Sequence, residues 1–226
     1  MNKDLKNFET DKTLQYEKCQ KEKNCSLEKA FLKVNMDNHL FYTQIRTTEN
    51  PEAYTVLVNK YHSLEEYEPK DLKNLSYDSK YKLREKAALA FEELVKEAKK
   101  DQVFICPYSA YRSFAYQTKI YNEYVKKDGQ EAADTYSARP GHSEHQTGLA
   151  VDVWTEGYET LLEKEAKWLE ENAHKYGFIV RYTKEKQNIT GYIAEPWHLR
   201  YLGKNIAKDV VEKNLSYDEY YNLYIK

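Results

Sequence analysis

One acid constrains what this chain can become. In Leu149-Ala-Val-Asp-Val-Trp154 an aspartate stands between Val151 and Val153, inside a run that otherwise reads as a buried strand. A charge in that setting has to be paired, hydrogen-bonded or bound to a metal, because burying it alone is costly. The stretch leading into it, Ser137-Ala-Arg-Pro-Gly-His-Ser-Glu-His-Gln-Thr-Gly148, holds two of the chain's six histidines and two of its seven glycines. Pro140, Gly141 and Gly148 are turn formers, so a tight loop presents polar side chains beside the strand. Such a break in pattern suggests a site, which the rest of the chain has to build.

There is enough chain to do so. Its 226 residues are 41% hydrophobic, which suits one packed domain with an extension. The 35 basic and 37 acidic residues are intermixed and leave a net charge of −2, so no field draws the chain to nucleic acid. No apolar run reaches the length of a membrane span, and the first thirty residues lack the apolar core of a signal peptide. The chain is either cytoplasmic as it stands or trimmed of a membrane-targeting segment. Tyrosine is abundant, with 22 copies, which suits amphipathic packing around a small core or a groove for sugars or peptides. Cys19, Cys25 and Cys106 cannot form a disulfide framework, since one is left over, and Cys106 in its apolar run reads as a buried small hydrophobe.

In chain order, residues 1–30 are charged and poor in large apolar groups, and read as a flexible leader. Residues 31–54 are loop-like, Tyr54–Val58 reads as a short strand, and residues 59–80 return to loop. A helix is expected over residues 78–100, capped by Asp78 or Ser79, with Leu83, Ala87, Phe91, Leu94 and Ala98 on its buried stripe. Val103–Cys106 follows as a strand broken at Pro107, and Tyr108–Tyr111 continues it. Helices over Phe114–Lys126 and Gln130–Tyr136 precede the strand Leu149–Trp154. A helix over Glu159–Tyr176 is closed by Gly177. Strands at Phe178–Tyr182 and Tyr192–Ala194 come next, the second running on through Tyr201, and a last helix after Gly203 extends to Val211. This order predicts an α+β domain, a small antiparallel sheet flanked by helices.

His39 and His62 stand in early loops without acidic or histidine partners at useful spacing. His174 falls near a helix C-terminus, where a cation suits the dipole, so its role is read as structural. His142, His145 and His198 remain, with Asp152 and Glu195. A catalytic zinc site takes three ligands from His, Asp or Glu and keeps one position open. His145, Asp152 and His198 can supply them. His142 competes from the same loop, although Gly141 before it favours His145. Glu195 lies three residues before His198, a spacing that sends the two to opposite faces of a regular strand. Pro196 between them removes a ladder donor and predicts a bulge that turns both to one point, freeing Glu195 as a general base. The bland alternative is a hydrogen-bonded His–Asp pair with no metal.

Ser143-Glu-His145-Gln-Thr-Gly148-Leu-Ala150-Val-Asp152, followed by Glu195-Pro-Trp-His198, resembles the VanY-like D-alanyl-D-alanine carboxypeptidase family, whose pattern is S-x-H-x-x-G-x-A-x-D and then E-x-W-H. Upstream, Ser109-Ala-Tyr-Arg112-Ser matches that family's S-x-Y-R-S segment, with Ala110 where a glycine is frequent. The resemblance spans residues 54–203. It implies the zinc D-Ala-D-Ala carboxypeptidase (Hedgehog/DD-peptidase-like) fold in a catalytic domain over residues 31–226. It further implies zinc held by His145, Asp152 and His198, with Glu195 as general base and Arg112 as the cation for the developing oxyanion. Gln117, Ser137 and Ser143 match positions near the substrate peptide, Arg139 is expected to reach its carboxylate, and Tyr111 and Trp197 to form an apolar wall. The implied substrate is the peptidoglycan stem peptide, cut to release D-alanine. Two alternatives stay open: an LD-carboxypeptidase acting on tetrapeptide stems, and a non-catalytic zinc-binding module of the same fold. A cell-wall substrate implies action outside the membrane and an anchor missing from the sequence; a cytoplasmic enzyme trimming precursors would read alike.

Overall fold

Val151, Val153 and Leu199 belong to the main apolar core, while Asp152, His198 and Arg200, alternating with them, face the other way. This period-two pattern builds the centre of the protein, seen in a computed structural model that describes residue 5, residues 10–36 and residues 40–225. His39 lies outside the described residues. The elements run α1 (Thr13–Lys23), α2 (Leu27–Met36), β1 (Arg46–Thr47), β2 (His62–Ser63), β3 (Leu72–Asn74), β4 (Lys82–Arg84), α3 (Glu85–Lys100) and β5 (Ile105–Ser109). Then come α4 (Phe114–Asp128), α5 (Gln130–Tyr136), β6 (Ala150–Thr155), α6 (Glu163–Asn172), β7 (Phe178–Tyr182), α7 (Gln187–Thr190), β8 (Glu195–Tyr201), α8 (Lys204–Glu212) and α9 (Tyr217–Tyr220).

The main sheet has the order β5-β6-β8-β7, with every neighbour antiparallel. One face packs on α3, where Ala87, Phe91, Leu94 and Ala98 meet Val151, Val153, Phe178 and Leu199 in a single core. Full burial of each large side chain there is worth about 1.5–3 kcal/mol. The other face is covered by the loop before β6 and by early segments of the chain. Residues 141–153 are buried throughout, so the loop is an internal part of the fold.

The α+β class and the antiparallel sheet agree with expectation, and several local expectations are corrected. The helix expected from residue 78 starts at Glu85, because Lys82–Arg84 pair with Leu72–Asn74 and put fully buried Leu83 into a hairpin. Tyr54–Val58 is not a strand, although Val56, Leu57 and Val58 are buried. Side chains satisfy its carbonyls in place of a ladder: Arg200 Nη2 donates to Val56 O at 2.7 Å, and Tyr217 Oη to Thr55 O at 2.5 Å. Pro107 lies within β5, tolerated because β5 is an edge strand with a register shift at that point. Cys106 is half-buried, since it alternates with the inward Ile105 and Pro107. Tyr192–Ala194 is irregular, and the strand begins at Glu195. The chain continues past α8 into α9 and a π-turn at Tyr221–Ile225, where Tyr217, Tyr220 and Leu223 are buried.

The charged leader carries regular structure among its described residues. A 3-10 turn at Thr10–Lys12, α1 and the start of α2 fall in it, and Tyr16 is buried against Phe31 of α2 at a ring separation of 5.5 Å, joined by Leu223. Residue 30 falls inside α2. Residues 31–36, expected as loop, complete that helix.

Gly148 fixes the joint between the buried loop and β6. Its φ is +66°, and an added Cβ would lie 2.8 Å from Leu72 Cδ2 and 3.0 Å from Arg84 Cγ. Gly148→Ala is expected to lower stability by about 1–3 kcal/mol through left-handed strain and contact. Urea unfolding with a loss under about 0.5 kcal/mol would count against this account.

Candidate active site

β6 and β8 pair so that Asp152 stands directly opposite His198. Cross-strand partners share a face, so the two side chains converge without help from any loop. His145 arrives from a 3-10 turn over Glu144–Thr147 that closes through Gly148 in the left-handed region. Among the described residues, His145, Asp152 and His198 form a group whose ligand atoms lie within 4.8 Å of one another, all buried.

Their hydrogen bonds select which atoms face the centre. His145 Nδ1 lies 2.7 Å from Ala110 O, a carbonyl that can only accept, so Nδ1 carries the proton and Nε2 is bare. Burial, with the Arg112 charge nearby, pushes His145 down to about 4 and keeps it neutral. His198 Nε2 lies 3.3 Å from Glu144 Oε2 and donates to it, which turns Nδ1 toward Asp152 Oδ1 at 3.0 Å. Burial disfavours a charged His198, yet its hydrogen bonds to Asp152 and Glu144 raise it to about 9. The site therefore wants positive charge at Nδ1, from a proton or a metal. Asp152 Oδ1 is buried with no hydrogen-bond partner once that nitrogen is bare, and bare His145 Nε2 stands 3.1 Å from Asp152 Oδ2. Bare acceptors aimed at one point are the donor set of a zinc site, so these residues fit that ion.

Asp152 is held well below the usual carboxylate range: burial opposes this, but the two imidazoles outweigh it. Arg112 Nη2 also donates to Asp152 Oδ2 at 2.7 Å, while its Nε is fixed by Ser109 Oγ at 2.9 Å. Glu195 is different. Its Oε2 lies 3.7 Å from His198 Nδ1 and it has no close cation of its own, so burial pushes it up to about 7. The bulge expected at Pro196 is present. Val180 pairs with Leu199 and Tyr182 with Glu195, so four steps on β8 oppose two on β7.

These groups line a cavity of about 210 Å³, roughly the volume of seven waters. Arg112, Ser137, Ser143, Glu195 and Trp197 face it, as do Tyr108, Tyr124, Tyr136, Tyr182 and Tyr192. Gln117 lies buried beneath, donating to Ala138 O at 2.7 Å and accepting from Arg112 Nη1 at 3.4 Å. Two of the expected residues stand off this cavity. Arg139 does not line the cavity, because Asp134 pairs with its guanidinium at 2.7 Å and Tyr42 stacks under it at 4.0 Å. Tyr111 is turned to Glu68, to which its hydroxyl donates at 3.2 Å. His142 is outside the metal group, its Nδ1 on Asn59 O at 2.8 Å. His62 bonds Asn59 Oδ1 at 3.0 Å. Burial and neighbouring Lys175 push His174 down, so it is no helix-end cation.

Sequence reasoning missed Glu144, Arg181 and Arg200, which are buried together behind His198. A signal existed: Arg181 in Phe-Ile-Val-Arg and Arg200 in His-Leu-Arg are charges in buried strands, as Asp152 is. It also missed Lys60, buried with Nζ 3.9 Å over the Tyr192 ring and hydrogen-bonded to Asp134 O.

Comparison with known proteins gives a consistent family. A family model described as VanY, D-alanyl-D-alanine carboxypeptidase, matches residues 80–204. A D-alanyl-D-alanine carboxypeptidase of Enterococcus faecalis (strain ATCC 700802 / V583) is 32% identical over 197 residues, 83% of this chain and 73% of that one. The solved LdcB LD-carboxypeptidase is 39% identical with a TM-score of 0.73, covering 83% of this chain and 93% of that one. A vancomycin-resistance D,D-pentapeptidase VanY solved with Zn(II) is 32% identical with a TM-score of 0.67, covering 74% and 98%.

Carboxyl-selective NMR of the metal-free protein should find Glu195 titrating near 7, against an ordinary value of 4.5. A midpoint below 5 would contradict the desolvated, cation-poor setting described above.

Proposed function

The chain belongs to the VanY family of D-alanyl-D-alanine carboxypeptidases, and on that premise we propose how its pocket works. It is a zinc metallopeptidase that removes the C-terminal D-alanine from peptidoglycan stem peptides, and its catalytic unit takes in the whole of α2. The carrying observation is the pairing of a three-acceptor cation site with a separate buried carboxyl, Glu195, raised to about 7.

His145 Nε2, Asp152 Oδ1 and His198 Nδ1 would hold the zinc ion, which supplies Lewis acidity to the scissile carbonyl and acidifies water. Glu195 takes the proton of the attacking water and delivers it to the leaving amine, roles that suit a carboxyl titrating near neutrality. Arg112 lines the cavity with N–H groups left over after Ser109, Gln117 and Asp152 are served. Those groups face the oxygen on which negative charge grows, and a fixed guanidinium loses little to reorganisation there. Ser137 and Ser143 offer hydroxyls to the peptide, Trp197 and the tyrosines supply its wall, and Gln117 acts from beneath by holding Arg112 and the Ala138 carbonyl. No Arg139 contact to the substrate carboxylate is retained, since Asp134 occupies that guanidinium. The enzyme acts at the cell wall, where such peptides lie. No helix among the described residues is long and apolar enough to cross a membrane.

A second reading has its own support, because the LD-carboxypeptidase structure is more similar than the D,D-pentapeptidase, at 39% against 32% identity. The ligand set serves both reactions, and the pocket wall decides. Incubating the zinc-loaded protein with pentapeptide and tetrapeptide stems and measuring released D-alanine separates them. Faster release from the pentapeptide is expected, and release from the tetrapeptide alone would replace the first reading by the second.

Glu195→Ala should cut kcat by at least about 10²–10⁴-fold while one zinc per chain stays bound. Full activity in that variant, with metal content measured alongside, would sink the assignment of the base.

A further inference from the structure

We propose that Glu144 is a positioning residue for His198, and that a buried charge network extends this control to Asp218 in α9, outside the family-matched residues 80–204. Glu144 Oε2 receives His198 Nε2–H at 3.3 Å. Its other oxygen receives Arg181 Nε at 2.8 Å and Arg200 Nη1 at 2.9 Å. Arg181 Nη1 then donates to Asp218 Oδ2 at 2.7 Å, and Asn59 Nδ2 to Asp218 Oδ1 at 2.7 Å. Arg200 is tied on its far side to the Val56 carbonyl at 2.7 Å. The side chains of Glu144, Arg181 and Arg200 are wholly excluded from solvent, and that of Asp218 is 3% exposed.

The network balances two cations against two anions, as a buried cluster must. Balance alone would not require its anion to touch a metal ligand. An imidazole presents one nitrogen to a metal and offers the other as donor, so whatever fixes the donor sets the ring's rotation. Glu144 is that acceptor, and both its oxygens are committed. If Asp218 is lost, Arg181 is released on its far side, Glu144 keeps one firm anchor in place of two, and the ring of His198 gains freedom. The C-terminal turn is thereby part of the metal centre.

The inference rests on the proposed function only for His198 as a ligand, so the test reads metal binding directly. Zinc affinity would be measured by competition with a chromophoric chelator, and ligand geometry by the visible spectrum of the cobalt(II)-loaded protein. Glu144→Gln should weaken zinc binding by roughly 10–100-fold and alter the cobalt bands. Asp218→Asn should act in the same direction with a smaller shift, and Asn59→Ala least. A purely structural role would lower thermal stability and leave affinity and bands unchanged in the folded variants. Folded variants that bind zinc within twofold of the parent therefore overturn the proposal, as does failure of all three to fold, which would mark the network as scaffold only. Should Glu144→Gln alone fail to fold, the other two decide it. A parent chain that binds no zinc would instead refute the metal reading of the site.

Discussion

The site depends on register. β6 and β8 are paired so that Asp152 meets His198, while Val151 meets Leu199 in the core behind them. Because side chains alternate in strands, a slip of one residue would send both metal-facing groups into the apolar core and expose the core residues to the pocket. The core and the site therefore specify each other. Burial of Val151, Val153 and Leu199 against α3 fixes the register that brings the ligands together, and the polar face cannot be altered independently of it. The loop carrying His145 adds to this constraint, since it is buried from Gly141 onward and is closed by Gly148 against Leu72 and Arg84.

Departure from regularity is confined to the place where chemistry needs it. A regular β8 would point Glu195 away from His198. The bulge opposite Val180 and Tyr182 lets the strand carry both to one side without disturbing the Asp152–His198 pair. Pro196 is compatible with that bulge and would be costly in an unbroken ladder. The same economy operates at residues 54–58, which carry buried apolar side chains but no strand pairing. Their carbonyls are taken by Arg200 and Tyr217, side chains that belong to the charge network and the C-terminal turn. In this way residues far from the catalytic stretch are tied to the back of the site.

Much of the centre was legible in the sequence. Asp152 among valines, the turn residues around His145, and Pro196 between Glu195 and His198 each carry a local physical signal, and the structure brings these residues together. The parts that were not legible depend on long-range contacts. Arg139 sits in the loop before the site, yet Asp134, five residues earlier on a helix, captures it. Tyr54–Val58 has strand composition, but the side chains of Arg200 and Tyr217, both distant in sequence, take its carbonyls in place of a ladder. Leu83 fits the helical stripe of α3 in spacing, while its pairing within the β3–β4 hairpin decides its conformation. Glu144 was invisible because a glutamate beside a histidine in a polar loop looks solvated. Its burial follows only from Arg181 and Arg200, each in a different strand.

Three carboxylates share this small volume, and their surroundings give them different states. Burial acts to raise all three. Glu144 escapes because the guanidiniums of Arg181 and Arg200 hold it ionised, so it can serve as a fixed acceptor for His198. Asp152 escapes because the imidazoles of His145 and His198 and the Arg112 guanidinium face it, the positive charge coming from His198 and Arg112, which keeps it ready as a ligand. Glu195 has only the more distant His198 and Arg112 to offset burial, and the negative charges of Asp152 and Glu144 push in the same direction as burial. It alone is poised to gain and lose a proton near neutral pH. The division of labour among acceptor, ligand and base thus follows from where the cations were placed, since the three acids differ little in themselves.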